Sequence, residues 1–391
     1  MVFECKDQPK KGLYLAYQAL STLLVRLPLW AAWYLPPCTR PRPSWSWAHT
    51  LAVQMVRHVT YVTTVVGGIR PRPDWRAIAP TGGDAEGVWV PGAPDLITGD
   101  LKTFAHVSEV EPQSIPGYWY STPGTTTTPR PPSTPADTDK VFYCLHGGGY
   151  IQLSAHPSDH TANITRSLVA LGCAPRAFAL EYRLSATHPY PDRFPFPAAL
   201  LDAVAGYAYL VRDVGYRPQN IILVGDSAGG NLALALVRYL VESRQNGAPP
   251  GQLLLLSPWT DLSLRAAHNT GSSLSNTADY LGDPDTRRGL YSKEAYLAPY
   301  GLRFAAVNRY VSPVVAGARF CGFPRTFVTA GTAERFLDQI RALAGRMGAD
   351  MGVGAEGVVL YEARDAVHDY LAFGWHPGRA GTLQAIKEWL R

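Results

Sequence analysis

Cysteine, charge and sequence repetition are all scarce in this 391-residue chain. The five cysteines (Cys5, Cys38, Cys144, Cys173 and Cys321) are widely spaced, form no C-x-x-C pair and do not cluster with histidine at metal-ligand spacing. That distribution argues against a structural zinc site and against a disulfide framework. Cys144 lies inside an apolar run and reads as a small buried hydrophobe. Charged residues make up only 17% of the chain, and the net charge of +5 is spread without any run of five like charges. Nothing here gives the electrostatic footprint of a nucleic-acid-binding protein. No internal repeat is visible, and collagen-like, coiled-coil and low-complexity readings are excluded. No metal or cofactor is implied.

What is present is apolar material, 46% of residues, enough for a large core. The first concentration of it runs from Leu13 to Leu35, interrupted only by Gln18, Ser21, Thr22 and Arg26. The length suits a bilayer span of about 20 residues. Arg26 near mid-bilayer and the helix-breaking Pro28 argue against one, and no small-residue cleavage site marks a signal peptide. The preferred expectation is two short helices broken at Pro28. Trp30, Trp33, Trp45 and Trp47 then form an aromatic surface that covers apolar neighbours or, as the second choice, rests on a membrane through residues 13–47. The Pro/Arg cluster Arg70 to Pro73 and the pair Gly82 and Gly83 place a soft boundary near residue 85. Residues 1–85 are read as an N-terminal helical cap segment and residues 86–391 as the main domain.

From Val141 onward, apolar strands alternate with helices. Strands are expected at Val141 to Leu145, Ala177 to Tyr182, Ile221 to Val224, Leu253 to Leu256, Thr326 to Thr329 and Val358 to Tyr361, preceded by short β-like runs at Gly87 to Val90 and Gly117 to Ser121. The Thr/Pro stretch from Thr125 to Pro135 reads as an extended loop. Helices are expected at Thr161 to Leu171, Ala198 to Val211, Asn231 to Arg244, Phe336 to Met347 and Leu383 to Leu390. Continuous apolar strands are buried on both faces, so the fold class is α/β, a mostly parallel central sheet flanked by helices. About seventy residues separate the strand ending at Leu256 from the next one. An excursion of that length, about 261–315, is read as an inserted, mainly helical cap.

Two glycine-rich turns follow strands. Ile221 to Val224 runs into Gly225-Asp226-Ser227-Ala228-Gly229-Gly230 and then a helix, which is G-x-S-x-G in the strand-turn-helix context that lifts a serine hydroxyl clear of the backbone. The strand ending at Leu145 is followed by His146-Gly147-Gly148-Gly149, whose N–H groups are open to a ligand. Both fit one chemistry: Ser227 attacks a carbonyl, and N–H donors from the glycine loop and Ala228 hold the oxyanion. The serine needs a base and an orienting acid, in chain order Ser, acid, His. His368 follows the last strand, whereas His376, before Pro377 and Gly378, reads as a surface turn residue. Glu334 sits on the loop after Thr326 to Thr329, and Asp338, one helical turn on, is its competitor or a first-turn carboxylate stabilising its helix.

With HGGG at 146–149, GDSAGG at 225–230, EYRLSATHPYP at 181–191, SPWTDLS at 257–263, GTAERFLD at 331–338 and HDY at 368–370, the chain resembles the hormone-sensitive-lipase-like esterases of the α/β-hydrolase fold over residues 85 to 391. The resemblance implies an α/β-hydrolase fold, Ser227 as nucleophile, Glu334 as acid, His368 as base, and Gly148, Gly149 and Ala228 as oxyanion donors. The family's usual aspartate is glutamate here. Glu181, Arg183 and Asp226 are expected to form a buried ion-pair network, and His146 to anchor the glycine loop. Asn163-Ile164-Thr165, a formal glycosylation acceptor, falls in a helical pattern and is set aside.

Tyr150, Trp259, Phe336, Leu337 and Tyr370 are expected as apolar pocket walls, favouring an acyl or terpenoid-like ester. The expected activity is serine carboxylester hydrolysis. Acyl transfer through the same acyl-enzyme is the alternative, and a non-catalytic small-molecule receptor a third. The expected partner is a small-molecule ester, with no nucleic acid; a membrane surface and a homodimer stay open. The expected location is cytoplasmic, or membrane-associated through the N-terminal segment.

Overall fold

The computed structural model describes residues 2–69, 74, 77, 84–122, 135–243, 247–264 and 271–391. The Arg70 to Pro73 cluster, Gly82, Gly83, Thr125 to Thr134 and Arg244, the expected end of one helix, lie outside the described residues.

The N-terminal part is helical: α1 (Lys10–Ser21), a π-helical turn (Thr22–Arg26), α2 (Leu27–Trp33) and α3 (Trp47–Val66). Pro28 does not break the chain into two short helices as expected. The wider π turn directly precedes it, and Pro28 sits in the first turn of α2, so the helical run continues through it. The four tryptophans divide. Trp45 is buried and donates through Nε1 to the Asp365 carbonyl, while Trp33 and Trp47 are exposed.

Among the described residues eight strands follow: β1 (Ala85–Val90), β2 (Ile115–Ser121), β3 (Val141–Leu145), β4 (Arg176–Leu180), β5 (Ile221–Asp226), β6 (Gln252–Leu256), β7 (Arg325–Gly331) and β8 (Val358–Ala363). They form one sheet in the order β1-β2-β4-β3-β5-β6-β7-β8. β1 pairs antiparallel with β2 and β2 with β4; every later pairing is parallel. Further helices flank or cap it: α4 (Gly99–Val107), α5 (Ala162–Ala170), α6 (Ala198–Ala208), α7 (Ala228–Ser243), α8 (Gly271–Ser275), α9 (Arg287–Leu297), α10 (Leu337–Met351) and α11 (Arg379–Leu390).

Strand periodicity explains why the central runs are apolar throughout. Val141, Tyr143, Leu145, Ile221 and Leu223 point into a core shared with α4, α6, α7 and α10. Phe142, Cys144, Ile222 and Val224 point into a second core with α5 and α11. Side chains alternate between faces, and here both faces are covered. Each fully buried Leu, Ile, Val or Phe contributes about 1.5–3 kcal/mol, so the central strands cannot slip register without exposing an entire row. The expected cap region 261–315 holds α8, α9 and a 3-10 turn at Leu302–Ala306.

Candidate active site

The parallel strands deliver their C-terminal ends to one edge of the sheet, and the candidate site is built there. Ser227 stands between β5 and α7 at φ +52°, the left-handed region. Such a conformation costs a non-glycine residue about 1–3 kcal/mol. Backbone bonds hold it: Ser227 N–H donates to the Leu256 carbonyl at 2.9 Å, and the Ser227 carbonyl accepts from Trp259 N–H at 2.9 Å. Gly225 is required because a Cβ there would meet the Gly229 carbonyl oxygen at 2.2 Å.

His368 lies on the loop after β8, and its Nε2 is 2.9 Å from Ser227 Oγ. Glu334, on the loop after β7, faces the other ring nitrogen, with Oε2 at 3.9 Å from Nδ1. Both are buried. The Nδ1 to Oε2 distance exceeds a hydrogen bond, and closes only by a side-chain shift of about an ångström, the kind of tightening common when a substrate binds. Asp338 is elsewhere: its Oδ2 accepts from Ser272 N–H at 2.7 Å, tying α10 to α8. Gly148 and Gly149 line the same cavity as Ser227. Gly148 has φ +112°, and a Cβ on it would sit 2.1 Å from the Gln152 carbonyl. Ala228 opens α7, so its N–H belongs to the first turn, where helical donors lack intrahelical partners. His146 supports the loop through Nδ1, 2.7 Å from the Gly147 carbonyl, and its ring stacks on Tyr182.

Three further residues tune this arrangement and were not read from the sequence. Asp369 places Oδ2 at 3.3 Å from His368 Nε2. Asp279 accepts from His368 N–H at 3.2 Å. Ser257 donates to Glu334 Oε2 at 2.6 Å, which also accepts from Gly331 N–H at 3.1 Å. Ser257 was findable, since it directly follows β6 at the same sheet edge; Asp279 sits in the insertion with no local signal. Burial alone would depress the His368 imidazole, but the Asp369, Glu334 and Asp279 carboxylates outweigh it and hold it up to about 9. Burial pushes the Glu334 carboxyl up to about 8, against the pull of His368 and the Ser257 hydrogen bond.

Several expected roles change. Of the five expected pocket walls, Trp259 and Phe336 line the cavity, and the Phe336 ring meets His368 edge-on at 5.0 Å. Tyr150, Leu337 and Tyr370 do not; they are core. Tyr150 stacks on Tyr296 at 3.7 Å and donates to Asn231, and Tyr370 shares a hydrogen bond with Thr382. Sequence adjacency to a motif does not fix which way a side chain points. Glu181, Arg183 and Asp226 do not form one network. Arg183 pairs with Asp202 at 2.7 Å, Glu181 accepts from Ser154 and Ala155, and Asp226 accepts from Gly147 N–H. β4 ends at Leu180, so strand alternation no longer holds 181 and 183 to one face. His376 is buried against His49 rather than at the surface.

The cavity has a volume of about 880 Å³. Its walls come from α3 (Arg57, Val59, Tyr61), the insertion (Tyr280, Arg287, Arg288) and the loop after His368 (Phe373, Trp375). Among the described residues no group of three or more His, Cys, Asp or Glu is arranged to hold a metal ion.

A family described as the alpha/beta hydrolase fold matches residues 142–372. An acetyl-hydrolase of Streptomyces hygroscopicus is 35% identical over 213 residues, 54% of this chain and 62% of its own length. An esterase of Acinetobacter venetianus is 30% identical over 211 residues, 52% of this chain and 59% of its own. The chain thus spans about 60% of the length of these relatives. Among solved structures, a hormone-sensitive lipase from a metagenome library aligns with a TM-score of 0.52 at 30% identity, covering 65% of this chain and 77% of its own.

Proposed function

The chain belongs to the α/β-hydrolase fold family, and on that premise we propose that it is a serine carboxylesterase acting on a largely apolar small-molecule ester. One observation carries the reading: a strained serine whose Oγ lies 2.9 Å from a buried histidine, facing a cavity that also exposes Gly148 and Gly149. Ser227 Oγ attacks the ester carbonyl while His368 Nε2 takes its proton. The N–H groups of Gly148, Gly149 and Ala228 receive the oxyanion; a single donor of this kind is worth about 2.7–4 kcal/mol. The tetrahedral intermediate collapses, the alcohol leaves with the proton from His368, and water repeats the sequence on the acyl-enzyme. Glu334 orients the ring and, with Asp369 and Asp279, stabilises the imidazolium. Trp259 and Phe336 stack in parallel at 6.0 Å beside the reacting pair and give the acyl group an apolar wall.

The test is intact-mass analysis after exposure to a fluorophosphonate, alongside hydrolysis of p-nitrophenyl esters of graded length. The expected result is one adduct, mapped to Ser227, with turnover of short esters that falls at least 10³-fold in Ser227→Ala while the melting temperature is retained. Turnover surviving in that variant would overturn the assignment.

A further inference from the structure

The run from α1 to α2 is an inverted amphipathic helix. Leu13, Tyr17, Leu20, Leu24, Leu29 and Trp33 are each at least 60% exposed. Their spacings of four, three and four residues follow one helix face, and the step of five from Leu24 to Leu29 crosses the π turn at Thr22–Arg26, whose extra residue keeps the stripe in phase. The polar side chains face inward. Gln18 is buried, and Thr22 Oγ1 bonds His58 Nε2 of α3 at 2.9 Å. A helix surrounded by water does the reverse, burying its apolar stripe and showing its polar one.

Charge identifies what covers that stripe. Between Asp7 and Asp74 the sequence has no acidic residue but eight Lys or Arg, while the whole chain is only +5. Lys10 and Lys11 open α1, and Arg40 and Arg42 follow α2. Tyr and Trp occur along the helix, at positions suited to a lipid headgroup layer. A second copy of the chain would set this basic segment against itself; an anionic lipid surface complements it. No helix among the described residues is long and apolar enough to cross a membrane, and the polar contacts to α3 hold the run alongside the protein.

We propose that the outer face of the α1–α2 run docks in the plane of an anionic phospholipid bilayer. The helix it rests on, α3, also carries the cavity rim. His58 contacts Thr22, while its neighbours Arg57 and Val59 line the cavity and are exposed. Docking therefore brings the cavity mouth to the lipid surface, so the ester substrate is one dissolved in or adsorbed to a bilayer. That substrate supply rests on the esterase reading; the docking does not.

The experiment is flotation of the full chain with vesicles of phosphatidylcholine alone and with about a third phosphatidylserine. The expected result is at least tenfold stronger binding to the anionic vesicles, weakened by salt and by the pair Leu20→Glu and Leu24→Glu, with hydrolysis of a short soluble ester unchanged in that variant. Flotation reads docking and the soluble assay reads chemistry, so each fails separately. Three outcomes overturn the proposal: wild-type protein left unbound by both vesicles; a dimer in light scattering that the substitutions dissociate without any vesicle binding; or resistance to alkaline carbonate extraction, which marks a spanning helix.

Discussion

His368 is shared between two oxygens on one nitrogen. Ser227 Oγ and Asp369 Oδ2 lie 2.9 and 3.3 Å from Nε2, while Glu334 waits at Nδ1. Catalysis by base requires the ring neutral, and the surrounding carboxylates favour it charged, raising it to about 9. The sign follows directly: kcat/KM on a soluble ester climbs as pH rises toward 9 and is lost below, as the imidazole protonates. Asp369→Asn removes one negative charge at Nε2 and should move that limb to lower pH by roughly a unit, read from a pH–rate profile. An unmoved limb would show that Asp369 does not face the base in solution. In the proposed mechanism the same carboxylates that delay the onset of activity stabilise the imidazolium formed as Ser227 attacks, so the plateau rate in Asp369→Asn should not exceed the wild type.

Elements are held in register by polar groups that apolar pattern alone cannot reveal. Arg183, just beyond β4, gives its N–H, Nε and Nη2 to Asp202 of α6, and both side chains are about 1% exposed. Burial pushes the Asp202 carboxyl up and Arg183 pulls it back. Asp202→Ala would strand a buried guanidinium, a change that costs about 3–5 kcal/mol, measurable as a lower urea midpoint with unchanged slope. Replacing both partners with apolar residues should recover most of that loss. The central parallel strands were legible because a parallel sheet covered on both faces writes itself as uninterrupted apolar runs, such as Ile221 to Val224. Asp202 was not, since nothing in a helix sequence marks which carboxylate meets a residue nineteen positions back. The N-terminal run was legible as helical and apolar but not in its orientation. Leu20 and Gln18 have the same sequence context whether the stripe faces the protein or away from it.

Across the whole molecule, the geometry of the candidate reacting groups was readable and the pocket walls largely were not. Ser227, Glu334 and His368 each follow a strand of one sheet, so chain order and strand ends bring them to one edge. The walls come from α3, the insertion and the C-terminal loop, and only tertiary packing decides where these meet; Trp259 and Phe336 were within reach because they adjoin strand ends. One contact joining the N-terminal helices to the C-terminal part carries a testable consequence. His49 of α3 and His376 pack at 4.7 Å, with Trp45, Trp375 and Tyr370 around them. Both ring nitrogens of His49, and Nε2 of His376, lack hydrogen-bond partners. Burial, and then His49, drive His376 down to about 3, and burial lowers His49 too. In the unfolded chain a histidine titrates near 6.5. Below that pH the unfolded state takes up a proton that the folded His376 refuses, so this residue's contribution to stability declines as pH falls from about 6.5 toward 3. The effect reaches about 5 kcal/mol at most. The buried carboxyls Glu334, Asp226 and Asp202, all raised by burial, push the other way, since they bind protons more readily folded than unfolded. A single melting curve against pH therefore mixes opposing groups, whereas the difference between wild type and His376→Phe isolates one. That variant should melt close to wild type near pH 8 and increasingly above it as the pH drops to 5. A difference independent of pH would mean that His376 titrates in the folded protein as it does in the unfolded chain.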